Sequence, residues 1–451
     1  MSDPSRAPIR ATSASPASAG AAGPPIGLGG AFSIGIGGIV GGGIFATLGL
    51  AAAEAGGSTW ISFLVGGTIA LLTAYSYVRL SITFPSRGGT VTFLDRAFGR
   101  GLAAGGVSTL LVLSYVVILS LYASSFATYA VTLLPEEMRS AAQGPLMFGI
   151  IVALAAVNLV GPGLVTRTEG FFNIGKLSIL GFFIVAGFVG GGIDWGRLAP
   201  SRWSGPLPIV AAGMLVFLAY EGFELISNAS DRITDPRRTL PIAFFGSVAA
   251  AMTLYVLIVV VTIGYLPLPE IEASQANVLA TAADAVIGRA GGALLAVGAI
   301  LATASAINAD YFGASKLPAM LADLDEAPAL AEREVWGRHP VGLVLVMLLA
   351  LACAAFLDLH ALSAAASAGF LAVFAMVNVA NARIADRTGS IRAIPVVGAI
   401  ACAAALAALI VDLLGQPDHA LEVGAIVALA AVPFAFQWAY LRLAHRSAAP
   451  R

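Results

Sequence analysis

One lysine, two glutamates and a run of three glycines stand where a membrane helix tolerates them least. Lys176 lies in the apolar stretch Phe171-Phe-Asn-Ile-Gly-Lys-Leu-Ser178. Glu221 and Glu224 share a second stretch, Phe217-Leu-Ala-Tyr-Glu-Gly-Phe-Glu224, with Gly222 between them. Gly41, Gly42 and Gly43 fall in a third, Gly35-Ile-Gly-Gly-Ile-Val-Gly-Gly-Gly-Ile-Phe45. A lysine taken out of water gives up its proton more readily than one in solution. Carboxylates inside a bilayer are expensive unless they are paired or face a cavity. Consecutive glycines cost roughly 1 kcal/mol each relative to alanine in a helix, and they let backbone amides approach a ligand closely. Free glycine amides at the positive end of a half-helix can hold an anion, and a buried lysine can change its charge near physiological pH.

Each of these residues also has a plainer use. Glycines pack membrane helices against one another. Glu221 and Glu224 would also serve as a structural pair bonded to free backbone amides. Lys176 stands about nine residues from Arg167, roughly 14 Å along a helix, from which it would have to snorkel to lipid phosphates.

The elements that must position these groups follow from composition. Of 451 residues, 58 % are hydrophobic and 11 % are charged, against about a quarter charged in a soluble domain. With 51 glycines and 23 prolines, a single coiled coil or a water-soluble bundle is excluded. The class is an all-α polytopic membrane protein. A net charge of −1 offers no basic field for nucleic acid. Cys353 and Cys402 sit alone in apolar runs without metal-ligand spacing. His339, His360, His419 and His445 all lie at segment ends, which argues against a histidine relay or metal centre. No cofactor and no metal is expected. Residues 1–25, rich in Ala, Ser and Pro, read as a disordered tail without a removable signal.

At about 20 apolar residues per crossing, twelve transmembrane helices are expected. The first six are near 26–53, 60–84, 102–134, 145–160, 168–191 and 208–230. The second six are near 240–265, 290–314, 341–357, 359–384, 394–414 and 422–443. The span from Pro145 is short, and the pair meeting at Asp358 has almost no loop. A short amphipathic helix is expected around 317–323. With the N-terminus inside, 19 of the 24 basic residues fall on the inner side and four on the outer side, which places both termini in the cytoplasm of a cell whose inner (plasma) membrane holds the chain.

The glycine run interrupts the first span and Gly222 interrupts the sixth, five spans later. Corresponding breaks in two halves mark a transporter built from inverted repeats, with its substrate between the broken helices. The repeats would be 26–192 and 208–384, followed by two peripheral helices at 394–443 and a tail at 444–451.

Gly35–Phe45, the loop Phe84-Pro-Ser-Arg-Gly-Gly89 leading to Phe98-Gly99, Phe217–Pro241, and Ser305-Ala-Ile-Asn-Ala-Asp-Tyr-Phe-Gly-Ala-Ser-Lys316 lie in order along the chain. Together they resemble the amino acid–polyamine–organocation superfamily of permeases. The resemblance covers about residues 26–445 and implies the leucine-transporter fold, a 5+5 inverted repeat plus two peripheral helices. It implies that the amides of Gly41, Gly42 and Gly43, with Ile44 beside them, hold a substrate carboxylate. The carbonyls around Leu218, Ala219 and Glu221 would take its ammonium group. Phe217, Tyr220 and Phe223 would contact the side chain or else belong to the core. By the same resemblance Lys176 stands in for a sodium ion and carries the coupling proton, with Ser305 and first-span carbonyls as partners. Glu224 is expected to be a second protonatable group near the gate.

Asp310 and Lys316 are expected to pair at the inner end of the eighth span, Glu54 and Asp412 to lie at outer helix ends, and Asp235 to cap the seventh span. The expected activity is secondary active amino acid transport by proton symport, with a proton rather than sodium as coupling ion and the bilayer as the other partner. The rivals are an amino acid/amine exchanger and a transport-inactive nutrient sensor. A membrane enzyme lacks a nucleophile–base pair, and a primary pump lacks an ATP-binding loop.

Overall fold

A computed structural model describes residues 24–160, 163–328, 330, 340–415 and 419–447. The expected tail at 1–25 therefore falls almost wholly outside the described residues, as do the last residues of the tail at 444–451. Among the described residues there is no strand, only two isolated bridges, Ile26 with Ile233 and Gly56 with Trp203.

The first span is two helices, α1 (Leu28–Ile39) and α2 (Gly43–Ala55), bent 45° to each other. The break falls at Val40, Gly41 and Gly42. There Gly41 N–H turns back onto the Ile39 carbonyl instead of continuing the ladder. Then come α3 (Thr59–Thr83), α4 (Gly89–Phe98), α5 (Leu102–Thr132), α6 (Glu136–Val160) and α7 (Gly163–Val189). The expected start of the fourth span at Pro145 is corrected to Glu136. Proline lacks an N–H and crowds the preceding turn, yet here it sits inside a 25-residue helix.

The sixth span is also interrupted. It runs as α8 (Pro206–Leu215), a 3-10 turn at Phe217–Tyr220, an extended Glu221, a left-handed Gly222 at φ 106°, and a 3-10 helix at Phe223–Arg232. The two halves meet at 48°. After it come α9 (Pro236–Tyr265), α10 (Leu268–Ala273), α11 (Val278–Ile287), α12 (Arg289–Ala314) and α13 (Leu317–Asp323). The last matches the short helix expected at 317–323. Asp235 precedes α9 in a left-handed conformation with no side-chain cap, so the helix is closed instead by its carbonyl, which accepts from Arg238 and Thr239.

The chain finishes with α14 (Pro340–Phe356), α15 (Leu359–Arg383), α16 (Ala385–Thr388), α17 (Ala393–Leu414) and α18 (Ala420–Ser447). Among the described residues nine helices are long and apolar enough to cross a membrane, and each bent pair adds one. The chain is a multi-pass membrane protein. The expected crossing at 341–357 corresponds to α14, whose 17 residues rise about 26 Å, a little less than the hydrocarbon thickness.

Apolar matching to lipid gives no drive for helices to associate, so interior polar groups do part of the joining. Ser76 of α3 donates to Asn378 of α15 at 2.6 Å, and Asn378 donates to Thr73 of α3 at 3.0 Å. Asn381 donates to Ser76, and Thr388 to Asn381. This chain of bonds fixes α15 beside α3, behind the broken helices.

Candidate functional site

The two breaks lie against each other. A Cβ built on Gly38 would stand 2.7 Å from the Gly222 carbonyl oxygen, and one on Gly43 would stand 2.6 Å from Cα of Ala219. Only glycine permits this approach. Gly41 is closed over by Ala306 and Gly42 by the ring of Tyr122, so the glycine run serves packing as well as exposing backbone. The first ladder bond of α2 is donated by Ala46, to Gly42. This leaves the amides of Gly42, Gly43 and Ile44 at the head of a helix, where negative charge is favoured. Gly41 N–H is already engaged by Ile39.

On the sixth-span side, Leu218 C=O accepts from Glu221 N–H at 3.0 Å. The Tyr255 hydroxyl stands 3.0 Å from Ala219 C=O and 2.8 Å from Ile39 C=O. One phenol thus ties the two breaks together, with one proton for two acceptors. The acceptors expected near an ammonium group are thereby partly engaged inside the protein.

Phe217, Tyr220 and Phe223 are fully buried. Phe217 packs edge-on to Phe374, and Phe223 packs on Tyr77 and Phe374. Tyr220 donates to Phe63 C=O at 2.7 Å. These three rings are part of the core.

A small cavity does open beside the breaks. It is lined by Gly37, Gly38, Tyr122, Glu221, Gly222, Leu225, Ser305, Ala306, Ala309 and Asp310. The structure brings Glu221 and Ser305 together here and adds Asp310, for which the sequence predicts only a pair with Lys316 at the inner end of the eighth span. The expected Asp310–Lys316 pair does not form among the described residues. Lys316 lies with its ammonium 3.3 Å from the centre of the Phe312 ring, while Asp310, six residues earlier, is buried. Its place was legible in principle: Ala306 and Asp310, four residues apart, share a helix face.

Glu221 is 4 % exposed. Its Oε1, like Oδ2 of Asp310, has no hydrogen-bond partner among the described residues. Glu224 differs from both. Its Oε1 accepts from the Tyr115 hydroxyl at 2.9 Å and its Oε2 from Gly222 N–H at 2.8 Å, so it fastens the break. It also lines a second small cavity with Gly88, Thr90, Asn228 and others. The three carboxylates act on one another electrostatically. Such a group in a low-dielectric setting calls for compensating positive charge.

Lys176 is 1 % exposed, and its Nζ donates to the Gly37 carbonyl at 2.8 Å. Its ammonium is inside the protein, on the backbone of the broken first span, and does not reach lipid. Asn173, one turn away, packs on Gly37.

On the side where α1 begins, the broken helices are closed by backbone pairing. Ile26 N–H donates to Arg232 C=O and Thr234 N–H to Ile26 C=O, both at 2.9 Å. The Phe84–Gly89 loop joins them, with Ser86 N–H donating to Ser230 Oγ and Arg87 pairing with Asp231 at 2.9 Å.

The family described as amino acid permease matches residues 26–436. An uncharacterized protein of Methanocaldococcus jannaschii is 33 % identical over 353 residues, 78 % of this chain and 80 % of that one. The inner membrane transport protein YbaT of Escherichia coli is 32 % identical over 403 residues, 88 % and 92 %. The methylthioribose transporter of Bacillus subtilis is 26 % identical over 375 residues, 76 % and 77 %. The chain belongs to the amino acid permease family: it is a membrane transporter and not an enzyme.

Proposed function

We propose that this member of the amino acid permease family is a proton-coupled amino acid symporter that works by alternating access around the two breaks. The observation that carries the proposal is Lys176, buried on the Gly37 carbonyl of the first broken span. A fixed cation at that position does the work of a bound metal ion while protonated, and releases the backbone carbonyl when it loses its proton. Substrate carboxylate then meets the amides of Gly42, Gly43 and Ile44, and substrate ammonium meets the Glu221–Asp310 side of the cavity. Ser305 lines the same cavity. In this scheme α14 is the ninth crossing and brings the total to twelve, the halves are two inverted five-span repeats, and both termini face the cytoplasm, in keeping with the basic residues.

The experiment is uptake into proteoliposomes under an inward pH gradient, compared with an inward sodium gradient. Uptake driven by pH alone and lost in Lys176→Ala is the expected result. Sodium dependence, or full pH-driven uptake by Lys176→Ala, overturns the proposal.

A second reading has its own observation. The unpartnered oxygens of Glu221 and Asp310 in one cavity favour a substrate with an extra positive charge, and with it exchange of an amino acid for an amine. Net uptake without substrate inside the vesicle separates symport from exchange. Absence of both, with binding retained, identifies a sensor.

A further inference from the structure

Two histidines and a glutamate that lie far apart along the chain meet at the end of the bundle where α15 and α18 begin. His360 is in the first turn of α15. His419 directly precedes α18, and Glu422 is in its first turn. The imidazole rings are 4.7 Å apart. Nδ1 of His360 lies 3.4 Å and Nδ1 of His419 lies 3.1 Å from Oε1 of Glu422. One ligand atom from each residue can be chosen so that all lie within 4.8 Å of one another.

These contacts are not satisfied hydrogen bonds. Neither Nδ1 has a hydrogen-bond partner among the described residues, and neither has Oε2 of Glu422. Glu422 is only 4 % exposed, so its unpartnered oxygen is buried. Leaving such an atom unpaired costs about 1–3 kcal/mol. The separations match something else. Ligand atoms about 2.0–2.1 Å from a tetrahedral zinc ion stand roughly 3.3 Å from one another, close to the two Nδ1–Oε1 distances.

From this we infer a divalent-metal site formed by His360, His419 and Glu422, suited to Zn2+, with water at a fourth position. Two imidazoles and one carboxylate are a borderline-soft donor set, which zinc accepts and magnesium or calcium does not. The carboxylates of Glu54, at the end of α2, and Asp412, at the end of α17, lie within electrostatic reach of His419. They add negative potential around the ion. The metal ties the peripheral helix α18 to α15, which the Asn378 network already fixes to α3. It shares no residue with the cavity beside the breaks, and the inference is independent of the transport proposal.

The test uses the full chain, free of any affinity tag, stripped with chelator and purified in detergent. Titration with zinc salt by calorimetry should show one equivalent bound, together with a rise in melting temperature. Cobalt(II) should give the intense visible absorption of a four-coordinate ion. His419→Asn and Glu422→Gln should each weaken zinc binding by at least tenfold, whereas the double variant of the other two histidines, His339→Asn with His445→Asn, should bind as the parent does. The proposal is overturned by no binding in the parent, by equal binding in the site variants, or by a six-coordinate cobalt spectrum. The cobalt measurement is made on the unaltered protein, so it decides the matter even where a variant fails to fold.

Discussion

Gly38 and Gly222 touch backbone to backbone, one from each broken span. A methyl group on Gly38 would stand 2.7 Å from the Gly222 carbonyl oxygen, and one on Gly222 would stand 2.8 Å from that of Gly38. Gly222 also has φ 106°, a conformation that costs an L-residue roughly 1–2 kcal/mol before any clash. Gly222→Ala is therefore expected to lower the melting temperature in detergent and to abolish uptake in proteoliposomes. Gly313→Ala, at a helix position with open space around it, should leave both unchanged.

Lys176 bonds the backbone of the first broken span and Glu224 that of the second. Removing the Glu224 carboxyl leaves Gly222 N–H and the Tyr115 hydroxyl without their acceptor. Glu224→Ala should destabilise by about 2–3 kcal/mol. Glu224→Gln keeps one acceptor oxygen and should lose less, while Tyr115→Phe should fall between Glu224→Gln and the parent. Thermal unfolding followed by tryptophan fluorescence gives the order, and an order with Tyr115→Phe worst would show that Glu224 is not the fastening group.

Glu221 and Asp310 present unpartnered oxygens to one cavity, so neutralising either should cost binding most for cationic solutes. Glu221→Gln and Asp310→Asn are expected to weaken binding of a dibasic amino acid or diamine at least tenfold, about 1.4 kcal/mol. A neutral amino acid should be affected less. Ligand-induced thermal shift across a panel of amino acids and amines measures this, and equal losses across the panel would remove the carboxylates from substrate selection.

Asn378 is the hub of the bonds between α3 and α15. Asn378→Ala should destabilise by about 1–2 kcal/mol, the upper range for interhelical polar contacts in membranes. Because Ser76 shares the bond, Ser76→Ala combined with Asn378→Ala should cost less than the sum of the single changes. A strictly additive pair would mean that the two side chains are not coupled.

The Lys176 substitution separates two contributions. Lys176→Met retains apolar bulk but leaves the Gly37 carbonyl without its donor. Folding should survive, with a modestly lower melting temperature, while acceleration of uptake by an inward proton gradient disappears. Exchange across symmetric pH should persist, which distinguishes loss of coupling from loss of the binding site.

Much of this is legible in the sequence. Hydropathy is a sum over local residues, so the membrane class and most of the spans follow from the chain itself. Both breaks do too, because glycine and the positive φ it permits act within a turn or two. Lys176 is legible only as two alternatives, burial against the first span or snorkelling to lipid phosphates, and its bond to the Gly37 carbonyl decides between them. Pro145 misled by the same locality: its ring marks a helix start in water, whereas here the preceding nine residues continue the helix.

What the sequence could not decide is which side chains face each other across helices. Phe217, Tyr220 and Phe223 flank the break, yet their rings turn to Phe374, Phe63 and Tyr77. Asp310 lies six residues from Lys316 but faces Glu221, 89 positions away, across a shared cavity. His360 and Glu422 stood at two unrelated helix ends until α15 and α18 packed side by side. In each case the outcome depends on helix rotation and on the neighbour it meets, and those are set by the whole bundle rather than by any one segment. Local composition determined that this is a multi-pass membrane protein with two broken helices. Tertiary packing alone decided which of its few buried charges share a site.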